Sequence, residues 1–308
     1  MSAGETVYSS GTVAIIGRSN VGKSTLTNLL VGEKVAIVSD IPRTTRRRIR
    51  GIVNRPRGQV ILVDTPGIHK PRHAMNRWMV TDATAAMHGV DLVLFMIAAP
   101  AGKQRPRSVF GPGDRFILDR LPRQGPPVIL AINKIDRTPK PRLLPMIAEA
   151  RACFPFAEIF PLSALTGENT ETLSDCLLDH LPAGGPLFPV ELATDQSSRF
   201  LASEIIREKL LLNTRQEIPH EICVIVETYD ETEELIRIEA TILVDRSSQR
   251  GIVIGREGAM LKRVGTAARE ELEGVLGKKI FLQLWVKSRP GWRDDRGILK
   301  RLGLGPGE

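Results

Sequence analysis

The run Gly17-Arg18-Ser19-Asn20-Val21-Gly22-Lys23-Ser24 has the G-x-x-x-x-G-K-[ST] spacing of a loop that wraps its backbone around a phosphate. The glycines let successive amides and the following helix N-terminus point at the anion. Lys23 then suits a bridge between β- and γ-phosphates, and the Ser24 hydroxyl suits Mg²⁺. Asp64-Thr65-Pro66-Gly67 closes an apolar run. Its carboxylate can hold a water of the metal, and its glycine amide can reach a γ-phosphate. In Asn133-Lys134-Ile135-Asp136, the Asp136 carboxylate can accept both the ring N–H and the exocyclic amine of guanine, a donor pair that adenine lacks. Lys134 can lay its aliphatic stem along the base, Asn133 can tie neighbouring loops together, and Ser163-Ala164-Leu165 offers an amide to the guanine carbonyl oxygen.

A second constellation lies near the other end. Ile254-Gly255-Arg256-Glu257-Gly258 contains G-x-x-G between two predicted helices, with Lys262 and Arg263 just beyond. Two close glycines let a nucleic-acid backbone approach without a Cβ clash, and the next helix N-terminus favours phosphate. Such a turn is the backbone clamp of a KH fold, although the same four residues also serve as a plain helix connector.

Apolar runs and helical periodicity predict the elements that hold these residues. Strands are expected at 11–16, 60–63, 90–98, 128–132 and 157–162, alternating with helices at 23–31, 73–87, 115–121, 143–153 and 170–181. Nearly continuous apolar strands between amphipathic helices mean an α/β domain with a mostly parallel sheet covered on both faces. Each nucleotide motif follows a strand's carboxyl end, where open α/β sheets bind ligands. Residues 39–50, with five arginines, and residues 100–113 read as loops. Pro182-Ala183-Gly184-Gly185-Pro186 marks a boundary. Beyond it the order α-β-β-α-α-β, over 198–212, 221–228, 235–244, 248–254, 259–276 and 279–286, implies a small α+β domain with helices on one face. The expected division is a nucleotide domain over 1–182, a linker over 183–190 and an RNA-binding domain with a C-terminal tail over 191–308.

The chain has 308 residues and a net charge of +8. The charge is uneven: residues 1–180 carry +9, residues 181–245 carry −8 and residues 246–308 carry +7. Two basic blocks parted by an acidic one point to a polyanionic partner. Three separated cysteines, Cys153, Cys176 and Cys223, fit buried thiols in a reducing compartment better than a disulfide or metal site. No basic-then-apolar leader starts the chain, and the apolar run at 90–101 is too short to cross a bilayer. A cytoplasmic protein is expected.

These motifs resemble those of the translation-factor-related GTPases, and within them the Era family of ribosome-assembly GTPases. The likeness spans nearly the whole chain. It rests on Gly17 to Ser24, Pro42-x-Thr44-Thr45-Arg46, Asp64-Thr65-Pro66-Gly67-Ile68-His69-Lys70-Pro71, Asn133 to Asp136, Ser163 to Leu165 and the C-terminal run to Trp285-Val286-Lys287. The resemblance implies a GTPase domain followed by a type II KH domain. It implies a GTP site of Gly17, Arg18, Ser19, Asn20, Val21, Gly22, Lys23, Ser24, Thr25, Asp64, Thr65, Pro66, Gly67, Ile68, Asn133, Lys134, Asp136, Ser163, Ala164 and Leu165. Ser24, Thr45 and Asp64 are the implied Mg²⁺ set, and Lys23, Thr45 and Gly67 the implied catalytic set. The Thr44-Thr45 doublet leaves Thr44 as the alternative register. Ile254, Gly255, Arg256, Glu257, Gly258, Lys262 and Arg263 are the implied RNA contacts.

Ser19 stands where the family usually has proline. Ile68 stands where many relatives of the fold carry a water-orienting glutamine, and it has no hydrogen-bonding group. Asn20 matches a position that helps bind K⁺ in related GTPases; by itself it serves equally as a loop stabiliser. The partners implied are GTP and GDP, the 3′ region of small-subunit ribosomal RNA and the assembling 30S subunit, with the protein a monomer. An RNA-binding scaffold with negligible turnover is one alternative. A regulatory GTPase peripheral on the inner face of the cell membrane is another. His69 and His73 look like a pair but lack a nucleophile or metal partner, and Trp285 is expected to be packed or half-buried.

Overall fold

The β-branched run after the N-terminus forms β1 (Ser9–Gly17), whose Val13, Ala14, Ile15 and Ile16 are fully buried. The structure is a computed structural model and describes residues 7–39, 41, 44–68, 73–101, 108–214 and 222–304. Residues 42, 43 and 69–71, which enter the family resemblance, lie outside the described residues, as do 102–107 of the expected long loop. Helix α1 (Lys23–Val31) starts directly from the phosphate loop and stops at Gly32 in left-handed backbone. There follow β2 (Ile49–Arg55), β3 (Gly58–Asp64), α2 (Ala74–Ala85), β4 (Leu92–Ala98) and α3 (Pro112–Leu118). Next come β5 (Val128–Asn133), α4 (Leu143–Cys153), β6 (Glu158–Pro161) and α5 (Thr170–Asp179).

The strands form one sheet in the order β2-β3-β1-β4-β5-β6. All neighbours are parallel except β2 and β3, which run antiparallel. Leu26 and Leu30 of α1 and Leu173 and Leu177 of α5 pack on one face. Ala83 of α2, Ile117 of α3 and Met146 of α4 pack on the other. Burial on both faces is why β3 and β5 read as unbroken apolar runs.

Strand β2 was not expected, because its start overlaps the arginine run. Ile49, Ile52 and Val53 are buried, while Arg50 is exposed and meets Asp195 at 2.5 Å. Arg48 pairs with Asp82 at 2.9 Å. The basic loop is therefore in part a strand edge with committed charges. Helix α3 likewise begins inside the expected long loop, at Pro112, with Asp114 accepting the Gly111 N–H at 3.1 Å.

Contacts divide the chain into two units. One holds Met1–Ala36, Thr45–Lys70 and Met79–Asp195; the other holds Ile37–Thr44, Pro71–Trp78 and Gln196–Glu308. The expected linker belongs to the first unit. Fully buried Gln59 accepts the Leu187 and Phe188 N–H groups at 2.8 and 2.9 Å and donates to the Phe188 carbonyl at 2.9 Å. The Ile52 N–H donates to the Ala193 carbonyl at 2.8 Å.

In the second unit, α6 (Ser198–Asn213) precedes β7 (Cys223–Glu231), β8 (Leu235–Val244), α7 (Ser247–Ile254), α8 (Ala259–Leu276) and β9 (Lys279–Ser288). The sheet order is β7-β8-β9, antiparallel then parallel. Ile205 of α6 and Val264 and Leu272 of α8 share a core with Ile238, Ala240 and Ile242. Buried charges on α6 find partners within the unit: Arg207 donates to the Thr44 carbonyl and pairs with Glu204, and Glu208 accepts the Val38 N–H at 2.9 Å. Fully buried Trp292 and a short helix α9 (Arg296–Arg301), capped by Asp295, were not anticipated. Of the three thiols expected to be buried, Cys223 is buried but Cys153 is exposed.

Candidate functional site

Four loops in the first unit leave the carboxyl ends of β1, β3, β5 and β6. In the loop after β1, Lys23 is 6% exposed and donates to the carbonyls of Gly17 at 3.3 Å and Arg18 at 3.0 Å. Burial lowers the Lys23 pKa, opposed by the nearby Asp64 carboxylate. Burial raises the Asp64 pKa, opposed by Lys23 and by hydrogen bonds from Ser24 and Thr45. In each group desolvation outweighs the opposing attraction of the other.

The Ser24 hydroxyl lies 2.6 Å from Asp64 Oδ2 and 3.0 Å from Thr45 Oγ1, and Thr45 Oγ1 lies 3.4 Å from the same carboxylate oxygen. Thr44 turns its hydroxyl to the Ile41 carbonyl at 2.7 Å instead. The second carboxylate oxygen, Asp64 Oδ1, is buried with no hydrogen-bond partner. An orphaned anionic oxygen beside two hydroxyls is a donor set suited to a hard divalent cation.

Positive φ and close approach explain the glycines. Gly22 has φ +101°, and a Cβ there would stand 2.2 Å from Asn133 Nδ2; one on Gly67 would stand 2.5 Å from Ser19 Oγ. Asn133 is the brace between loops: Nδ2 donates to the Val21 carbonyl at 2.7 Å, and Oδ1 accepts the Ala164 N–H at 2.8 Å. Lys134 Nζ donates to the Asn20 carbonyl at 2.7 Å. Asp136 Oδ1 accepts the Ser163 hydroxyl at 2.7 Å, which fixes the orientation of this carboxylate. Pro66 is buried and Thr65 donates from its buried hydroxyl to the Ile15 carbonyl at 2.7 Å.

Ile68 is 2% exposed and packs in the core with Ile16 and Phe95, while its N–H donates to the Gly17 carbonyl at 3.2 Å. Leu165, by contrast, is 70% exposed. One ion pair escaped sequence reasoning: Arg18 Nε meets Asp114 at 2.7 Å across a long stretch of chain. Nothing in the local pattern pairs them. His73 lies 3.9 Å from Asp294, and His69 lies outside the described residues.

In the second unit, Gly255 has φ +74°, and a Cβ there would stand 2.6 Å from Met260 Cβ. Glu257 and Gly258 also take positive φ, at 51° and 77°, and α8 begins immediately afterwards. The turn is bare: the side chains of Arg256 and Glu257 are 95% and 88% exposed. Lys262 and Arg263 are exposed on the first turn of α8.

Fold and site together define a P-loop GTPase domain joined to a KH domain. The 50S ribosome-binding GTPase family matches residues 12–134, and the KH domain family matches residues 217–293. The GTPase Era of Geobacter metallireducens is 47% identical over 298 residues, covering 96% of this chain and 98% of that protein. A crystal structure of an Era variant from Aquifex aeolicus bound to GDP·AlF4⁻ superposes with TM-score 0.89 at 40% identity, covering 96% and 99% of the two chains. Era in complex with MgGDPNP and a segment of 16S ribosomal RNA superposes with TM-score 0.90, also at 40% identity, covering 97% and 99%. The chain belongs to the Era family of GTPases.

Proposed function

We propose that this protein hydrolyses GTP and uses its KH domain to bind the 3′ region of small-subunit ribosomal RNA during 30S assembly. The observation that carries the reading is the convergence of Lys23, Ser24, Thr45 and Asp64 within one braced set of loops, with Asp136 held ready for guanine. The relative solved with MgGDPNP and 16S ribosomal RNA supports the substrate and the partner.

Ser24 and Thr45 would hold Mg²⁺ directly and Asp64 would hold one of its waters, which fits the orphaned Oδ1. When bound, Mg²⁺ supplies charge neutralisation of β- and γ-phosphate oxygens. Lys23 exchanges its two carbonyl partners for phosphate oxygens, and the loop amides stabilise charge on the transferring phosphoryl group. Thr45 senses the γ-phosphate, and the Gly67 amide reaches it. Because the Ala164 amide is committed to Asn133, the Leu165 amide is the one offered to the guanine carbonyl.

The attacking water receives no help from residue 68, whose side chain is in the core. Slow intrinsic turnover follows, and this same observation favours the scaffold reading as the second choice. Asn20 takes left-handed backbone and its carbonyl serves Lys134, which suits a loop stabiliser. A K⁺ role predicts faster hydrolysis in KCl than in NaCl, abolished in N20A.

Single-turnover hydrolysis with and without Mg²⁺, together with RNA crosslinking in GTP- and GDP-loaded states, tests the whole reading. Hydrolysis absent under both conditions, with intact GTP affinity, leaves the scaffold. Monomeric state is checked by analytical ultracentrifugation. No helix among the described residues is long and apolar enough to cross a membrane; peripheral contact with the inner membrane face is tested by vesicle sedimentation.

A further inference from the structure

The second unit carries a patterned surface that the G-x-x-G turn does not use. Strand β9 lies at one edge of the three-stranded sheet, and its alternate residues split between two faces. Ile280 and Val286 are buried in the core with α6 and α8, and Leu282 and Leu284 pack against it. The opposite row reads Lys279, Phe281, Gln283, Trp285, Lys287, and every member is exposed. Phe281 is 47% exposed and Trp285 is 38% exposed. The row is thus cation, ring, amide, ring, cation.

β-Propensity explains an aromatic in a strand, but it does not require two of them to face solvent in one row. The neighbouring strand adds a further feature. Arg237 stands opposite Phe281 in the ladder, and its guanidinium lies 5.3 Å from the centre of that ring. Glu239 holds this arginine at 2.6 Å and stands opposite Gln283. Phe281 and Trp285 are four residues apart on an extended strand, about 13 Å, which leaves a base-sized space over the Gln283 amide.

We propose that this outward row of β9 is a second contact for single-stranded RNA, with bases stacking on Phe281 and Trp285 and phosphates drawn to Lys279 and Lys287. The inference rests on the reading of the second unit as an RNA-binding module and adds a surface to it. Flat rings separated by a hydrogen-bonding amide and ended by cations suit a chain of bases joined by anions. An anionic membrane surface fits less well. The row is a narrow strip along one strand, and exposed Asp230 and Glu231 end β7 with exposed Glu233 and Glu234 in the turn to β8, acidic ground that a broad anionic membrane surface would have to cover and a single strand of RNA can pass by.

The test uses the intact protein and a fluorescently labelled single-stranded RNA with the 3′-terminal sequence of small-subunit ribosomal RNA. Trp285→Leu and Phe281→Leu keep apolar bulk but remove the ring. Each is expected to weaken binding roughly tenfold, with an unchanged salt slope because the phosphate-facing lysines are untouched. Trp285→Phe is expected to recover most of the loss. RNA is expected to quench tryptophan emission in the parent and less in Trp285→Leu, where only fully buried Trp292 and half-buried Trp78 remain. Melting temperatures confirm that the variants fold.

Parent-like affinity in folded Trp285→Leu and Phe281→Leu overturns the proposal. So does loss of binding to phosphatidylglycerol vesicles, rather than to RNA, in those variants. The G-x-x-G variant Arg256→Asp with Glu257→Asp, measured alongside, separates the two readings. If it loses affinity and the row variants do not, the clamp alone binds RNA. If it also binds like the parent, the RNA-binding reading beneath the proposal fails as well.

Discussion

The phosphate loop of the first unit and the G-x-x-G turn of the second use the same backbone device. Each sets glycine at positive φ immediately before a helix with no side chain capping it, an arrangement that suits an anion at the helix N-terminus. Around Gly22 the space is so tight that a single Cβ would collide with Asn133, and Asn133 in turn braces this loop against the one that follows β6. Around Gly258 nothing lies within 4 Å of where a Cβ would stand, and the two residues between the glycines are almost wholly in solvent. The difference teaches what each anion is for. A phosphoryl group in transit needs donors fixed in advance in a dry site, because reorganisation at the moment of reaction raises the barrier. A polymer backbone needs only open amides and local positive charge, because the affinity comes from many weak, screened interactions.

If that contrast holds, damage to the buried site should be chemical and damage to the exposed turn should be electrostatic. Lys23→Ala should show the largest effect, with GTP hydrolysis falling on the order of 10²–10³-fold or more, since a preorganised charge is removed from a desolvated site. Single-turnover assays on protein checked for folding measure it; a loss under tenfold would break the contrast. Asp136→Asn should cost about 3 kcal/mol of guanine preference and shift binding toward xanthine nucleotides, because one acceptor becomes a donor in an oriented site. Calorimetry with GTP and XTP reads this directly, and an unchanged preference would remove Asp136 from base reading.

Ile68→Ala sharpens the comparison from the core side. It should cost about 2 kcal/mol of stability through the cavity left beside Phe95, while turnover per folded molecule stays near that of the parent. Denaturant melts and active-site titration separate the two quantities. Loss of turnover with full stability would mean that this side chain acts in the chemistry after all. The smallest effect is expected at the exposed turn. Arg256→Asp with Glu257→Asp takes those two positions from 0 to −2 and should weaken RNA binding about tenfold at physiological salt. The salt slope should fall by about one for every phosphate that the turn no longer neutralises. Nucleotide affinity and melting temperature should stay constant.

Local pattern made most of the elements legible. The continuous apolar strands, the helix start at Lys23 and the α-β-β-α-α-β order of the second unit all follow from periodicity and turn residues, which act over a few positions. Strand β2 escaped because its arginines, and the arginine run before it, mask the buried apolar residues Ile49, Ile52 and Val53 between them. The tail escaped for a related reason: Trp292 and Asp295 organise it through burial and capping, in a stretch too short to show a period. The linker read from Pro and Gly was held instead by Gln59, a single polar residue whose partners lie more than a hundred positions away.

The amino-acid order by itself determined which residues could hold phosphate, metal and guanine, because those chemistries demand particular side chains at short, fixed spacings. Only the tertiary structure decided how they are used. It chose between Thr44 and Thr45 as the hydroxyl beside Ser24 and Asp64, because that depends on which way the backbone turns as it approaches β2. It paired Arg18 with Asp114, left Asp64 Oδ1 without a partner, and put the Ile68 side chain into the core. It also turned Phe281 and Trp285 outward while their neighbours along β9 went inward. A strand's alternation says that two faces exist, but only the helices packed against it decide which face meets water.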